Sequence, residues 1–205
     1  MVIWVKISGM SGRQKKSIHV SCIFKEPEVG KRMNYAEIKK HDVANGPGVR
    51  VSLFVSGCTH HCKDCFNPET WDFKYGKPFT QETVQEILGY LEPDYIKGLT
   101  LLGGEPFEHV NQQGLLPLVE AVREKYPQKD IWCFTGYDFE KDITRRMVPE
   151  WKETEKLLHC IDVLVDGEFM VDKKDLNLVF KGSSNQRTIL VQESLKSGKL
   201  CLWQQ

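Results

Sequence analysis

The sequence predicts an α/β fold in which a largely parallel sheet carries helices on its outside. From Met33 onward, short runs rich in β-branched residues alternate with segments whose apolar residues recur at helical spacing. Parallel neighbours need crossover connections, which the helical segments are long enough to supply. With 205 residues, 40% of them apolar, the chain can bury one full hydrophobic core. These observations predict either a doubly wound sheet or a curved partial barrel.

The first predicted elements flank the most unusual part of the sequence. Residues 49–55 form a strand-like run that leads straight into the first of three closely spaced cysteines. A helix follows, because Thr80 can cap its first turn and Pro93 stops it. Its apolar residues recur at i, i+3, i+4 and i+7, which predicts one buried stripe formed by Val84, Ile87, Leu88 and Leu91.

The later elements continue the alternation of strands and helices. A second amphipathic helix is marked by apolar residues at helical spacing, namely Leu115, Leu118, Val119 and Val122. A further helix is predicted at 151–159. The strands of this part are short apolar runs, predicted at 99–102, 131–135, 161–165, 176–180 and 189–191.

Composition and charge exclude several classes of function. Basic and acidic residues number 28 each, so no overall field favours nucleic acid or an anionic membrane. No stretch approaches the roughly 20 apolar residues of a membrane span. We therefore expect a cytoplasmic protein that binds neither nucleic acid nor membrane.

Residues 1–32 differ from the rest of the chain in charge. They hold seven basic residues against two acidic ones, and their opening apolar run is too short for a secretory signal. We interpret this segment as a basic N-terminal extension that is poorly ordered and lies outside the working domain. The working domain is then predicted to comprise residues 33–205.

Three cysteines, Cys58, Cys62 and Cys65, form a CxxxCxxC pattern. Thiolates are the usual ligands of a 4Fe-4S cluster, and three close cysteines without an obvious fourth predict one iron open to another ligand. A zinc site that adds His60 or His61 is an alternative; otherwise we expect both histidines beside the site or exposed. A disulfide framework is disfavoured because the cysteine count is odd and the other four are scattered, at Cys22, Cys133, Cys160 and Cys201.

Other notable residues follow the predicted strands. The carboxyl ends of parallel strands meet at one edge of a sheet, where ligands of α/β proteins gather. Paired glycines let a backbone approach a ligand closely, and a carboxylate beside them can pair with an ammonium group. At this edge we expect the cysteine loop together with Gly103-Gly104-Glu105-Pro106, Thr135-Gly136-Tyr137 and Asp166-Gly167.

Several segments in combination resemble one enzyme family. They are Asn45-Gly46-Pro47-Gly48-Val49-Arg50, the cysteine motif, Phe66-Asn67-Pro68-Glu69-Thr70-Trp71, Gly103-Gly104-Glu105-Pro106, Trp132-Cys133-Phe134-Thr135-Gly136-Tyr137, Asp162-Val163-Leu164-Val165-Asp166-Gly167 and Gly182-Ser183-Ser184-Asn185-Gln186-Arg187. Over about residues 33–192 the chain resembles radical S-adenosylmethionine enzymes, and more narrowly the activating proteins of anaerobic ribonucleoside-triphosphate reductases. The resemblance implies a partial (β/α) barrel, with a curved, mostly parallel sheet and helices outside.

The resemblance also implies a reaction. One 4Fe-4S cluster would be held by the three cysteines, and S-adenosylmethionine, the cosubstrate, would complete its fourth iron. The cluster would donate one electron, giving methionine and a 5'-deoxyadenosyl radical that takes a hydrogen from a glycine of the large reductase subunit. The electron would come from a low-potential protein such as flavodoxin or ferredoxin.

Two rival interpretations stay open beside this reaction. The first is an activase of another glycyl-radical enzyme, or a different radical S-adenosylmethionine enzyme. The second is a zinc-binding interaction module, which would bind one metal ion and would not respond to reductant.

By matched position, the resemblance assigns contacts to the cofactor. The amino group of S-adenosylmethionine is expected at Gly103, Gly104 and Glu105. Adenine is expected at the backbone around Asp64 and Phe66, and the sequence has this aspartate where many members of the superfamily have an aromatic residue.

Four further residues are matched less directly. Asp166 resembles an acidic position that approaches the cofactor in related activases. Arg50 is a candidate partner for a carboxylate, although most strand arginines point to water. The loop with Asn185 and Arg187 is expected near the active face, and the roles of both residues are left open.

Overall fold

The computed structural model describes residues 33–204, and the predicted extension at 1–32 lies outside this part of the chain. One sheet of seven strands contains β1 (Asn34–Asp42), β2 (Val49–Val55), β3 (Lys77–Pro78), β4 (Ile96–Gly103), β5 (Asp130–Phe134), β6 (Val163–Asp166) and β7 (Arg187–Leu190). The α-helices are α1 (Gln81–Tyr90), α2 (His109–Lys125), α3 (Val148–Glu150), α4 (Lys152–Cys160) and α5 (Val191–Ser197). A π-helix spans Phe139–Met147, and short 3-10 helices span Pro68–Trp71 and Val171–Lys173.

The sheet is parallel at its centre and antiparallel at both sides. Its strand order is β3-β1-β2-β4-β5-β6-β7, and β2, β4, β5 and β6 run parallel. β1, β3 and β7 are antiparallel to their neighbours. The outermost strands β3 and β7 do not pair with each other, so the sheet is open. The predicted α/β class is confirmed, and the antiparallel sides are an addition to it.

The helices pack on one face of the sheet. In β5, Ile131 and Cys133 join the core formed with α1, α2, α4 and α5, whereas Trp132 lies in a separate cluster on the opposite face. This alternation is the normal period of two in a strand. Because the α-helices of the described residues share one face, the doubly wound alternative, which needs helices on both faces, is wrong. The other face is left available for a ligand.

The helices follow the sequence signals closely. Thr80 caps α1 by accepting a hydrogen bond from the Thr83 N–H, and α1 ends before Pro93 as predicted. The predicted stripes are buried in both α1 and α2. Within residues 33–204, no helix has the length and apolar character needed to cross a membrane.

The predicted strand at 176–180 is wrong. This segment forms turns between β6 and β7, and Leu176 is 88% exposed. Phe180 has a φ of 55°, which breaks the extended path that a strand requires. The apolar side chains of Leu178 and Phe180 line a cavity instead of joining a sheet. The neighbouring prediction at 189–191 is confirmed in β7, which begins two residues earlier.

The sequence patterns do not reveal β1 or the π-helix. Most residues of β1 are polar or charged, and the strand is recognised by its antiparallel pairing with β2, in which Tyr35 lies opposite Val55. The π-helix begins at an N-cap, Asp138, whose side chain accepts from the Lys141 N–H. Lys39 of β1 lines the same cavity as Phe180, and the Phe139 N–H of the π-helix donates to Asp166 at the end of β6.

Candidate metal centre

The cysteine loop leaves β2 in a conformation that its neighbours fix. The Gly57 N–H donates to the Thr70 carbonyl at 2.8 Å, and the Cys58 N–H donates to the Trp71 carbonyl at 3.2 Å. Gly57 has a φ of 97°, and a Cβ atom there would lie 2.2 Å from the Phe73 ring. Position 57 therefore requires glycine. The turn at Gly57 places Cys58 at the carboxyl end of the parallel strands.

Two left-handed residues then turn the loop. His61 and Asp64 have φ values of 52° and 56°, and each directly precedes a cysteine. Aspartate adopts this conformation more readily than most residues. All three thiols line one cavity, with Cys58 buried and with Cys62 and Cys65 half-buried.

Burial disfavours the thiolate form of two of these cysteines. It raises the pKa of Cys58 to about 12. Burial, together with the nearby Glu168 carboxylate, raises the pKa of Cys62 to about 11. Metal ligation requires thiolates, so a positively charged group is needed beside these sulfurs. Iron ions would supply that charge.

The sulfurs of the three cysteines are not gathered as closely as a single zinc ion would hold them. Tetrahedral zinc with sulfur ligands at about 2.3 Å would hold those sulfurs less than about 4 Å apart. Among residues 33–204, one group of three candidate ligand atoms lies within 4.8 Å of one another, and it comprises Asp138, Glu140 and Asp166. The three cysteines do not meet that distance.

The two histidines of the loop have partners other than the thiols. His60 Nε2 lies 3.1 Å from a Glu105 carboxylate oxygen, and its ring packs on Tyr137 with 4.3 Å between centroids. The exposed His61 packs edge-on against Trp71. Both histidines thus have partners beside the cysteine loop, and neither is hydrogen-bonded to a thiol through its ring in the part of the chain described.

Glu105 ties three segments of the site together. Its carboxylate is 1% exposed, and Oε1 accepts from the Phe107 N–H and the Thr135 hydroxyl, both at 2.8 Å. Oε2 accepts from the Gly136 N–H at 2.8 Å and pairs with His60. Burial lowers the pKa of His60, but the hydrogen bond and charge of Glu105 outweigh burial and raise it. One side chain thus joins the ends of β4 and β5 to the cysteine loop.

Gly103 and Gly104 let β4 end directly against the cysteine loop. At Gly103, whose φ is 105°, a Cβ atom would lie 2.8 Å from Phe54 Cα. At Gly104 it would lie 2.6 Å from the Gly57 carbonyl oxygen. The Glu105 N–H donates to that same carbonyl at 2.8 Å. The paired glycines do allow the close backbone approach that was expected of them. The backbone that they approach is that of β2 and the cysteine loop.

Glu108 forms a second anchor of the loop, which the sequence analysis missed. Its Oε1 accepts from the Thr59 N–H at 3.0 Å and lies 3.5 Å from the Tyr137 hydroxyl. The Thr59 hydroxyl also donates to this oxygen. Glu105 and Glu108 are joined by a turn hydrogen bond at the entrance to α2, and both bind the cysteine loop. Their spacing of three residues is the only sequence signal that points to this pair.

The three thiols share a cavity of about 500 Å³ on the face of the sheet that the helices leave uncovered. Gly103, Gly104 and Glu105 form part of its wall, as the sequence predicted for this edge. Phe66 also lines it, is 60% exposed and packs on Phe169 with 4.9 Å between ring centroids. The cavity has room for a cofactor of moderate size next to the sulfurs.

Asp64 and Asp166 do not line this cavity. Asp64 is exposed, whereas Asp166 is buried and accepts from the Phe139 N–H at 2.9 Å and from Arg187 Nε at 3.0 Å. Arg187 Nη2 also donates to Glu140 at 2.7 Å, and its hydrogen bond to Asp166 is the main cause of its raised pKa. Asp166 therefore joins β6, β7 and the π-helix, and its contact with a cofactor stays a prediction.

Arg50 lies at the opposite ends of the strands and is fully buried. Its guanidinium lies 2.6 Å from Asp130 Oδ1 and donates to the Thr100 hydroxyl at 2.7 Å and to the Leu99 carbonyl at 2.9 Å. Burial lowers the pKa of Arg50, and the charge of Asp130 opposes this effect. A Cβ atom at Gly46 would lie 2.9 Å from this side chain. The carboxylate partner of Arg50 is thus Asp130 of the same chain.

The loop before β7 holds the far wall of the cavity. The Asn185 side chain donates to the Glu168 carbonyl at 2.8 Å, and the Gln186 side chain donates to the Gly167 carbonyl at 2.9 Å. Gln186 itself lines the cavity. The expectation that this loop lies near the active face is consistent with these contacts.

Comparisons with known proteins bear on this arrangement. A family model described as a 4Fe-4S single cluster domain matches residues 44–189. The anaerobic ribonucleoside-triphosphate reductase-activating protein of Haemophilus influenzae is 43% identical over 156 residues, which cover 75% of this chain and 96% of that protein. The chain belongs to this family.

Other members of the activating-protein family are equally similar. The protein of the same name from Enterobacteria phage T4 is 43% identical over 155 residues, covering 76% of this chain and 92% of its own. That of Escherichia coli strain K12 is 41% identical over 156 residues, covering 75% and 96%. Membership confirms the resemblance, and the matched domain supports an iron-sulfur cluster rather than zinc as the metal centre.

Proposed function

We propose that this protein activates an anaerobic ribonucleoside-triphosphate reductase by generating a glycyl radical on its large subunit. A 4Fe-4S cluster held by the three cysteines would, when reduced, supply one electron to S-adenosylmethionine, and the resulting 5'-deoxyadenosyl radical would take a hydrogen atom from the glycine, with methionine as the other product. The names of the relatives support the reductase as the partner protein, and the matched 4Fe-4S domain supports the iron-sulfur cluster as the cofactor.

The number of thiols at the cavity carries this proposal. Cys58, Cys62 and Cys65 line it, and no fourth cysteine of residues 33–204 does so. The remaining described cysteines have other neighbours: Cys133 lies in the main core, Cys160 borders it, and Cys201 contacts Ser197. A four-iron cluster on three thiolates leaves one iron for the amino and carboxylate groups of S-adenosylmethionine.

We place the amino group of S-adenosylmethionine at the turn of Gly103, Gly104 and Glu105, which lines the cavity. The Glu105 carboxylate already accepts from four donors, so the backbone of the turn is the proposed partner. Phe66 and the backbone near Asp64 are proposed to contact adenine. Asp166 is proposed to act indirectly, by holding the chain next to the cavity-lining Gly167.

The chain contributes orientation and shielding. Glu105 and Glu108 hold the loop at His60 and Thr59, between the first and second cysteines, so the thiols are positioned before any ligand arrives. The segment at 167–182 covers the cavity from the side of β6 and β7. A preset and partly enclosed site reduces the reorganisation that accompanies reaction and limits the access of water.

Three finer points belong to the same proposal. The electron donor is a low-potential flavodoxin or ferredoxin. The compartment is the cytoplasm, where thiols stay reduced. The open sheet is proposed to curve as a partial barrel, and the helices on one face with the cavity on the other support this proposal.

Anaerobic incubation with S-adenosylmethionine, dithionite and the reductase tests the function. Electron paramagnetic resonance should show a glycine-centred signal on the reductase, and omission of S-adenosylmethionine should abolish it. A signal on a different glycyl-radical enzyme, with none on the reductase, would favour the rival activase interpretation.

A further inference from the structure

The C-terminal residues 201–203, here called the strap, lie along the free edge of β7. The Leu190 N–H donates to the Cys201 carbonyl at 2.9 Å, and the Trp203 N–H donates to the Thr188 carbonyl at 2.8 Å. β7 is the last strand of the sheet. The strap therefore occupies backbone groups that an edge strand would otherwise present to another chain.

The strap is held at both of its ends. The Cys201 N–H donates to the Ser194 hydroxyl of α5 at 2.9 Å. Beyond it, Leu202 is 50% exposed, and Trp203 packs on Trp132 with 5.5 Å between ring centroids. One net hydrogen bond changes an equilibrium by only about 3- to 10-fold. Release of the strap beyond Cys201 costs the Trp203 hydrogen bond and its aromatic packing, so a competing segment has to supply both a backbone partner and a large apolar side chain.

The aromatic contacts of the strap include a strained residue. Trp203 lies 6.1 Å from Phe180, measured between ring centroids. The φ of 55° at Phe180 is unusual for a bulky side chain, and such strain persists only where surrounding contacts impose it. Phe180 also lines the cavity that holds the thiols. The strap and the site thus meet at one residue.

A groove of about 430 Å³ continues from the strap to the site. Leu202 and Trp203 form part of its wall. The groove shares Leu178, Lys181 and Gln186 with the cavity of the three thiols. A polypeptide that replaced the strap would therefore lie beside the entrance to the cavity.

We propose that an extended segment of the reductase displaces the strap. This segment would then pair with β7 through the Leu190 N–H and the Thr188 carbonyl. This inference rests on the proposed function, because it assigns the docking of the same partner. Strand addition is a common way for a sheet edge to bind an extended peptide. The strap itself shows that this edge accepts an antiparallel chain with a large apolar side chain.

Hydrogen exchange on the cluster-loaded full-length protein, with and without reductase, tests this replacement. On binding, the Trp203 N–H should lose protection, while the Leu190 N–H should stay protected by the partner. Continued protection of Trp203 in the complex overturns the proposal. Release of the strap by flavodoxin instead of the reductase overturns it as well.

The proposed function is followed separately in the same samples. Formation of 5'-deoxyadenosine and the glycine-centred signal report on activation, whereas exchange reports on docking. Activation with a strap that stays protected refutes the docking mode alone. Absence of both products in the presence of bound reductase refutes the function alone.

Two variants sharpen the measurement. Removal of residues 201–205 should tighten reductase binding about 10-fold, because the edge no longer has to be vacated. In that shortened chain, Leu190→Pro removes only the outward N–H, and the φ of −78° at this position suits proline. It should bind about 3- to 10-fold more weakly than Leu190→Ala, which keeps the N–H.

The outcomes of these variants are decisive in either direction. Equal affinities of Leu190→Pro and Leu190→Ala, or unchanged binding by a folded shortened chain, overturn the proposal. Leu195→Ala, which truncates another exposed apolar residue on α5, is the control and should bind like the wild type. If the shortened chain fails to fold, the exchange measurement on the full chain decides alone.

Discussion

Glu105 and Arg50 are buried charged residues at opposite ends of the same parallel strands, and they serve different purposes. Each is at most 1% exposed, and each is saturated with hydrogen-bond partners. The partners of Arg50 include Asp130 and Thr100, which belong to strands of the sheet. This network therefore stabilises the fold. Three of the four partners of Glu105 line the cavity, namely His60, Thr135 and Gly136.

The difference shows that burial and saturation alone do not identify a functional residue. A buried ion pair has to satisfy its charges wherever it lies. What distinguishes Glu105 is its position beside three thiols and a cavity of about 500 Å³. We call the region of the cysteine loop and Glu105 the cofactor end, and the region of Arg50 the closed end.

The largest effect is expected at the thiols of the cofactor end. Cys58→Ala, Cys62→Ala and Cys65→Ala should each abolish cluster binding and all formation of 5'-deoxyadenosine, because each removes an iron ligand. Anaerobic iron and sulfide analysis measures the loss. Cys201→Ala is the matched control, and loss of the cluster in that variant would mean that the fourth iron is ligated by the chain.

Arg50→Met should lower the free energy of unfolding by about 3 kcal/mol, since it leaves Asp130 and two buried acceptors without their partner. Urea unfolding of the cluster-free protein measures this loss. Arg50→Lys keeps the charge but not the forked geometry, and it should lose less. Normal stability combined with lost binding of S-adenosylmethionine would contradict the division into two ends.

Glu105→Gln should weaken binding of S-adenosylmethionine about 10-fold, because the anchors of Thr135, Gly136 and His60 are no longer matched. Titration of the cluster-loaded protein by a spectroscopic change on cofactor binding gives the affinity. Thr135→Val removes one of the four donors and should have a smaller effect. An unchanged affinity in Glu105→Gln would make this residue purely structural, like Arg50.

The smallest effect is expected at Asp42, near the closed end. Burial raises its pKa, but hydrogen bonds from the Asn45 side chain and the Ala44 N–H outweigh burial and lower it. A lowered pKa in the folded state gives stability that is present above the unfolded pKa of about 4 and is lost as pH falls through the folded value.

Asp42→Asn should therefore cost about 1 kcal/mol of unfolding free energy near pH 7, and this cost should shrink as the pH falls below about 4. Urea unfolding of the cluster-free protein at several pH values measures the trend. Asp172→Asn, at an exposed aspartate, is the control for removal of a surface carboxylate. A cost that stays constant with pH would show that the carboxylate charge does not matter at this site.

Local signals allowed much of the fold to be predicted. The cap at Thr80, the stop at Pro93 and the apolar stripes gave α1 and α2, because such signals act within one or two turns of helix. The segment at 176–180 was predicted incorrectly, because an apolar run does not show whether it pairs with a strand or covers a cavity. β1 was missed because its polar pattern is that of a strand near the side of a sheet.

The candidate site was likewise predicted in part, where local sequence signals were sufficient. The motif of Cys58, Cys62 and Cys65 and its place after a strand were evident in the sequence, because closely spaced thiols have few other uses. The anchors formed by Glu108 and His60 were not, because their partners are far along the chain or depend on how the loop turns.

By itself, the sequence determined the number and spacing of the thiols, most of the strands and helices, and the family. Only the tertiary structure decided which buried charges serve the site, why Asp166 faces Arg187, and that residues 201–203 cover the edge of β7. The physical reason is the distance along the chain over which each kind of interaction acts. Ligand spacing and helix periodicity are fixed by neighbours along the chain, whereas hydrogen-bond partners and free edges exist only once distant segments have packed together.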